Sequence, residues 1–542
     1  MVGFFKRGLR LQWGVIVIAM FALVYTRCSI TDPVKNIALV FNTLSISTTA
    51  SVNFADAATG EQIGSASQQA AVKLTFTGPD ADKIVTTLDE PMSTASTPNG
   101  VLDFGITSSF TPGPDNPVRV TLVASSGGYQ TTSYPLVISS TGSRSVTIHM
   151  VKNAAPPPGT STAGPTQIQT GSTGQTTSTT DVQTNPESTT GGSAGITIAT
   201  GTAIKDESGN PLSGSLTVDV TYFSNSDAAN GALPTGLSVG VVNQDQSGSQ
   251  GYIQAGAFAT FTVADANGHL AKTFSAPVTL SFTISGSTIN PNTGAEIKNG
   301  DTVPVYSFDE NSQTWKFEVN GTASGPDARG NYTVTFQATH LSSWLAGWIA
   351  IGGQVCTGNI TLNINGSFSA LMLKLKAAGV TLLTHNISGD QNHFVFNDLT
   401  VPKGVPVTLE AYDLLDCPAT LVGATTIPDL CAANTINLDV SPVGDRVDVD
   451  VDVTAICPHL DPPVQVRPSG YDIFVVRSCG PSVPVGTLKD GKITLKGLRV
   501  NTNYTFGMIY KNTLYTQQHL VDKASYVFNY DIVDSVCNAD FK

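Results

Sequence analysis

Short runs in which valine, or another residue that favours strands, alternates with a polar residue recur along this chain. Examples are Thr217–Phe223 (TVDVTYF), Arg446–Val453 (RVDVDVDV) and Arg119–Ala124 (RVTLVA). A two-residue alternation turns one face of a strand to a core and the other to water, whereas a helix needs a period of 3.6. The runs are closed by turn formers, as in Thr111-Pro-Gly-Pro-Asp115 and Ser126-Gly-Gly128. Composition agrees: 51 glycines, 30 prolines and only 13% charged residues, about half the charged share of ordinary soluble domains. The chain is therefore expected to be all-β, with several β-sandwiches in tandem. A net charge of −13 argues against nucleic acid, whose phosphates need a basic footprint.

The 542 residues are enough for about three or four domains. The clearest boundary is the stretch 153–194, made almost entirely of Thr, Ser, Gly, Pro and Gln. With so little to bury it reads as a disordered linker, about 35 Å in root-mean-square span. Around it lie a sandwich at 35–152 and a second at 195–352. A third, with cysteines, covers 355–453, and a fourth covers 454–542.

The N-terminus reads as an address. Lys6, Arg7 and Arg10 precede an uncharged run from Trp13 to Tyr25, too short for a membrane span, which takes about 20 apolar residues. Polar sequence follows Cys28 at once. Residues 1–28 thus suit a signal peptide, and Cys28 resembles the lipid-attachment cysteine of bacterial lipoproteins. That resemblance implies a lipid anchor in a membrane and a place in the cell envelope, at the outer membrane or cell surface. The same segment also suits an ordinary export signal in which Cys28 has no part.

The other six cysteines are Cys356, Cys417, Cys431, Cys457, Cys479 and Cys537. Their spacing fits no zinc or redox motif, so disulfides are expected in an oxidising compartment. The close pair Cys417 and Cys431 is expected to form a local loop staple.

Asn210-Pro-Leu-Ser-Gly214 and its following strand resemble carboxypeptidase regulatory-like and transthyretin-like sandwich domains. So does Phe394-Val-Phe-Asn-Asp-Leu399 leading to Gly404-Val-Pro-Val-Thr-Leu409. Leu498-Arg-Val-Asn-Thr502-Asn-Tyr504 resembles the fibronectin type III pattern, which implies that the Tyr504 hydroxyl bonds upstream backbone. These resemblances imply immunoglobulin-like or transthyretin-like folds and no catalysis.

Motifs for chemistry are weak. Gly191-Gly-Ser193-Ala-Gly195 matches a hydrolase pattern whose serine needs a strand-to-helix elbow, and none is expected there. Gly486-Thr-Leu-Lys-Asp-Gly491-Lys492 lacks the Ser/Thr of a phosphate loop at Ile493, and its Asp490-Gly491 reads as a hairpin turn. Asp448, Asp450 and Asp452 share one face of a strand, which reads as a solvated face rather than a calcium cage. The histidines have no zinc-site spacing. No catalytic residue, metal site or cofactor is expected.

Trp344 and Trp348 are the candidate exposed aromatic pair for stacking a sugar, although packing at a domain boundary is the favoured reading of such a pair. The function expected is that of a non-catalytic envelope surface protein with an adhesive, structural or binding role. Its partner would be a surface protein or a glycan. The alternative is a glycan-binding accessory lipoprotein of a polysaccharide-uptake system.

Overall fold

The computed structural model describes residues 38–39, 46–64, 71–87, 89–226, 236–377, 380–389, 391–459, 464–510 and 513–531. Cys28 and Cys537 lie outside them. The described chain is all-β: its helical content is two single 3₁₀ turns, Ala81–Lys83 and Gly352–Gln354. No helix among the described residues is long and apolar enough to cross a membrane.

The first sandwich has two four-stranded sheets. One runs Ile84–Val85, Val101–Ile106, Thr48–Asp56 and Gly142–Met150; the other runs Thr94–Thr97, Val72–Thr77, Val118–Ser126 and Thr132–Ile138. Thr48–Asp56 pairs in parallel with the last strand of the unit, Gly142–Met150, which joins the beginning of the sandwich to its end. Val52, Phe54, Leu122 and Ile148 fill the space between sheets, with Phe76 edge-on to Phe104 at 5.1 Å.

The second sandwich corrects the linker expectation. Thr160–Thr170 pairs along its length with Gly214–Phe223, and Thr180–Gln183 pairs with Ala194–Ile198. The Thr/Ser-rich stretch thus supplies the two ends of a twelve-stranded sheet that wraps around one core. Two things make it foldable. Ile168 and Val182, sparse in the sequence, both bury in that core beside Phe261, Phe282 and Phe336. The hydroxyls also find partners: Ser161 donates to Thr184 at 2.9 Å, Thr170 to Leu212 O at 2.9 Å and Thr176 to Ala199 O at 2.7 Å. A polar strand whose hydroxyls are paired avoids the desolvation cost of burial.

In the third sandwich His393–Pro402, Val355–Asn365 and Thr435–Asp439 form one sheet. Val380–Ser388, Ala370–Ala377, Val407–Asp413 and Thr420–Ile427 form the other. Its core is continuous with part of the second sandwich: Phe258, Trp315 and Val239 belong to the same apolar cluster as Leu362, Leu373 and Leu409.

The fourth sandwich begins earlier than the sequence indicated. Arg446–Cys457 is one strand, paired with Lys492–Arg499, Val464–Val466 and Ser525–Asp531. The boundary therefore falls between Asp439 and Arg446 rather than after residue 453. Its second sheet runs Val483–Thr487, Asp472–Val476, Thr502–Tyr510 and Thr513–Val521. Ala38–Leu39 also belongs here, lying parallel on Gln465 and Val466, so the opening of the 35–152 block is not part of the first sandwich. Arg499 N donates to the Tyr504 hydroxyl at 3.0 Å. Asp490 and Gly491 both take positive φ, 51° and 73°, as a two-residue primed hairpin turn requires. A Cβ at Gly491 would stand 2.4 Å from Val453 O.

Candidate functional site

Sequence reasoning offered Trp344 and Trp348 as a possible ligand-facing pair while favouring packing for them, and the structure packs both. Both sit on Ser343–Ile351, a strand inside the second sandwich with neighbours on each side, and are 1% and 4% exposed. Trp344 packs against Phe336 and His340, each 5.0 Å away between ring centres. An even spacing puts both rings on one side of a strand, and that side faces the core. No sugar can stack on them, and the glycan reading loses its platform.

The remaining sequence candidates resolve into structure. Asp448 pairs with Lys496 at 2.8 Å, Asp450 accepts from Thr494 at 2.7 Å, and Asp452 lies 3.5 Å from Arg467. The acid row is matched by cations and a hydroxyl on neighbouring backbone. Ser193 is buried at a strand entry, 3.0 Å from the Thr283 hydroxyl, with no helix after it. Among the described residues no three His, Cys, Asp or Glu side chains converge in a way that could hold a metal ion.

The disulfides differ from the expected local staple. Cys356 bonds Cys431, across the third sandwich, and Cys417 bonds Cys479, joining the third sandwich to the fourth. Cys457 is also disulfide-bonded. Cys417 and Cys431 are near in sequence, but the strand Thr420–Ile427 separates them and carries the chain across the sheet. Proximity along the chain therefore did not become proximity in space.

Around Cys417–Cys479 the third and fourth sandwiches interlock by charge. Arg446 pairs with Asp413, which is wholly buried. Arg499 reaches Asp416 at 2.6 Å, and Arg477 donates to Asp416 O at 2.7 Å. Burial works against the Asp416 carboxylate, but hydrogen bonds from Thr420 and Arg499 and the nearby guanidinium charges hold its pKa below the ordinary value. Ser369 also donates to Lys496 O across the junction. Two guanidinium–carboxylate pairs, a third guanidinium on a backbone carbonyl and a covalent bond thus brace this junction.

The second and third sandwiches meet differently, through their shared apolar cluster, with Thr400 N donating to the Ser238 hydroxyl oxygen at 3.0 Å. The first and second are bridged by Thr221, whose hydroxyl donates to the Gln130 side-chain oxygen at 3.0 Å. The first and fourth meet through Val101, Phe474 and Ile509, and Ser482 N donates to Gln62 Oε1 at 2.6 Å.

An apolar slot of about 70 Å³ lies between the two sheets of the fourth sandwich. Val451, Val453 and Ile493 form its floor, and Phe506, His519, Tyr526 and Phe528 line its wall. His519 stands edge-on to Tyr526 at 4.3 Å and to Phe528 at 5.0 Å. Tyr530 also lines it and donates to the Gln517 side-chain oxygen. Sequence reasoning missed this slot, although the alternation Tyr526, Phe528, Tyr530 near the end of the chain was a visible signal.

No family model matches the chain, and no curated protein matches it. Among solved structures, the chain is similar to the Bacillus anthracis TIE protein at 9% identity, covering 65% of this chain and 71% of that one, with a TM-score of 0.12. It is also similar to two B repeat units of the collagen-binding protein of Staphylococcus aureus. There the identity is 11%, the coverage 89% of this chain and 98% of that one, and the TM-score 0.12.

Proposed function

We propose that this chain is an exported, non-catalytic protein of the cell envelope with a structural or adhesive role, anchored by a lipid on Cys28, whose four sandwiches work as one unit. The observation that carries the reading is the third–fourth junction, where the Cys417–Cys479 bond joins two domains beside the Arg446–Asp413 and Arg499–Asp416 pairs. Disulfides persist in oxidising compartments and are rare where thiols are kept reduced. A domain junction braced in this way suits a part that must hold its shape outside the cell.

The continuous apolar cluster between the second and third sandwiches supports the same reading. A flexible string of modules would keep their cores separate. The test is protease treatment of intact producing cells, with mass spectrometry of the mature N-terminus and non-reducing peptide maps. The reading expects cleavage from outside, a lipid on Cys28 and oxidised Cys356, Cys417, Cys431 and Cys479. A protected protein with free thiols at these four positions would refute export, and an unmodified mature N-terminus would refute the anchor alone.

A further inference from the structure

The contact between the first and fourth sandwiches contains a carboxyl pair that needs explanation. Asp103 lies on Val101–Ile106, directly opposite Ser51 on Thr48–Asp56. The Ser51 hydroxyl oxygen is 2.6 Å from Asp103 Oδ1 and 2.9 Å from Asp472 Oδ2 of the fourth sandwich. Ser51 and Asp472 are 421 residues apart in sequence. Asp472 Oδ2 also accepts from the Ser143 hydroxyl at 2.8 Å, and its Oδ1 accepts from Thr487 at 2.5 Å. Ser51, Asp103 and Asp472 are all buried, and Val101, Phe474 and Ile509 form an apolar cluster across the same interface.

Proton counting decides the state of the pair. A serine hydroxyl carries one proton and two lone pairs, whereas an ionised carboxylate can only accept. Ser51 therefore cannot donate to both carboxylates at once. One of the two must bring its own proton and donate it to the serine oxygen. Asp472 has two further hydroxyl donors that favour its charged form, and Asp103 has Ser51. The proton belongs on Asp103.

We infer that Asp103 is a protonated carboxylic acid that donates to Ser51 while Ser51 donates to Asp472, and that this one proton latches the first sandwich to the fourth. Burial, and after it the charge of Asp472, push the Asp103 pKa up to about 8, in agreement with the proton count. Other titratable groups on the packed strands are engaged elsewhere. Arg144 donates to Ser140 O, Asp56 accepts from the Tyr129 hydroxyl, and Tyr504 accepts from Arg499 N. Burial, and after it the charge of Lys374, lower the His149 pKa.

The sign follows from linkage. Undocked, Asp103 returns toward its ordinary value of 3.8, so docking takes up a proton between about pH 4 and 8. The docking equilibrium then weakens by up to about tenfold per pH unit across that window and levels off above it. Loss of the proton leaves two buried carboxylates facing one hydroxyl.

The test is infrared titration of carboxyl groups in the full chain, paired with small-angle scattering at each pH. The wild type is expected to show a protonated-carboxyl band that disappears with a midpoint near 8, and particle dimensions that grow as it does so. Asp103→Asn, whose amide can donate to Ser51 at any pH, is expected to lose the band and stay compact. Asp472→Asn, which removes the opposing charge, is expected to bring the midpoint down. An Asp103 already ionised at mildly acid pH would overturn the proton assignment. A band that titrates with no change in dimensions, or with the same change in Asp103→Asn, would overturn the latch.

Discussion

At its contact with the third sandwich the fourth sets Arg446 and Arg499 against Asp413 and Asp416 and adds the Cys417–Cys479 bond. At its contact with the first it sets Asp472 against Asp103 through the hydroxyl of Ser51. Both junctions bury carboxylates, but one balances them with guanidiniums and the other with a proton. Guanidiniums stay charged at any pH a protein survives, so the first arrangement is permanent across the neutral range. A shared proton is conditional. One domain can thus hold one neighbour fixed and a second neighbour on terms set by the medium.

The comparison can be broken most forcefully at the buried ion pair. Arg446→Ala strands the fully buried Asp413 carboxylate, and removing one partner of such a pair costs about 3–5 kcal/mol. The unfolding free energy of the variant from chemical denaturation should fall by that amount, and an unchanged value would mean that Asp413 is not held as described. Replacing Cys417 and Cys479 together by serine should cost about 2–4 kcal/mol. Calorimetry should show that loss as an earlier transition confined to the third and fourth sandwiches, with the first unaffected.

The third sandwich adds a contrast in pH direction. His385 packs face to face with Phe394, ring centres 4.6 Å apart, and burial brings its pKa down to about 4. An unfolded histidine takes up its proton near 6.5. The third sandwich should therefore have its full stability above 6.5 and lose it as pH falls from there toward 4, by up to about tenfold in unfolding constant per unit. His385→Phe should flatten that acid limb in hydrogen exchange of the third sandwich. The first–fourth latch should move the opposite way, losing hold as pH rises toward 8, and Asp103→Asn should remove only that alkaline limb.

The all-β class was legible because alternation and turn residues recur so regularly, and the Asp490-Gly491 hairpin and the Tyr504 hydroxyl bond follow from local pattern. What escaped the sequence was whatever depends on distant partners. Thr160–Thr170 looks unfoldable until the strand Gly214–Phe223 lies beside it and Leu212 O accepts its threonine hydroxyl. Trp344 and Trp348 carry the same spacing whether a strand is central or at an edge, so exposure could not be read from them. Cys417 finds Cys479 because the third and fourth sandwiches are docked, a fact that lies in neither local sequence. Asp103 and Asp472 are unremarkable aspartates along the chain and become a pair only across that much sequence.

That the sandwiches form one unit is tested most directly by small-angle scattering of the full chain at neutral pH. The account predicts a single compact particle whose pair-distance distribution has one maximum and matches four sandwiches in mutual contact. A distribution with separate maxima, as from a first sandwich held away from the rest on an extended 153–194 tether, would contradict it.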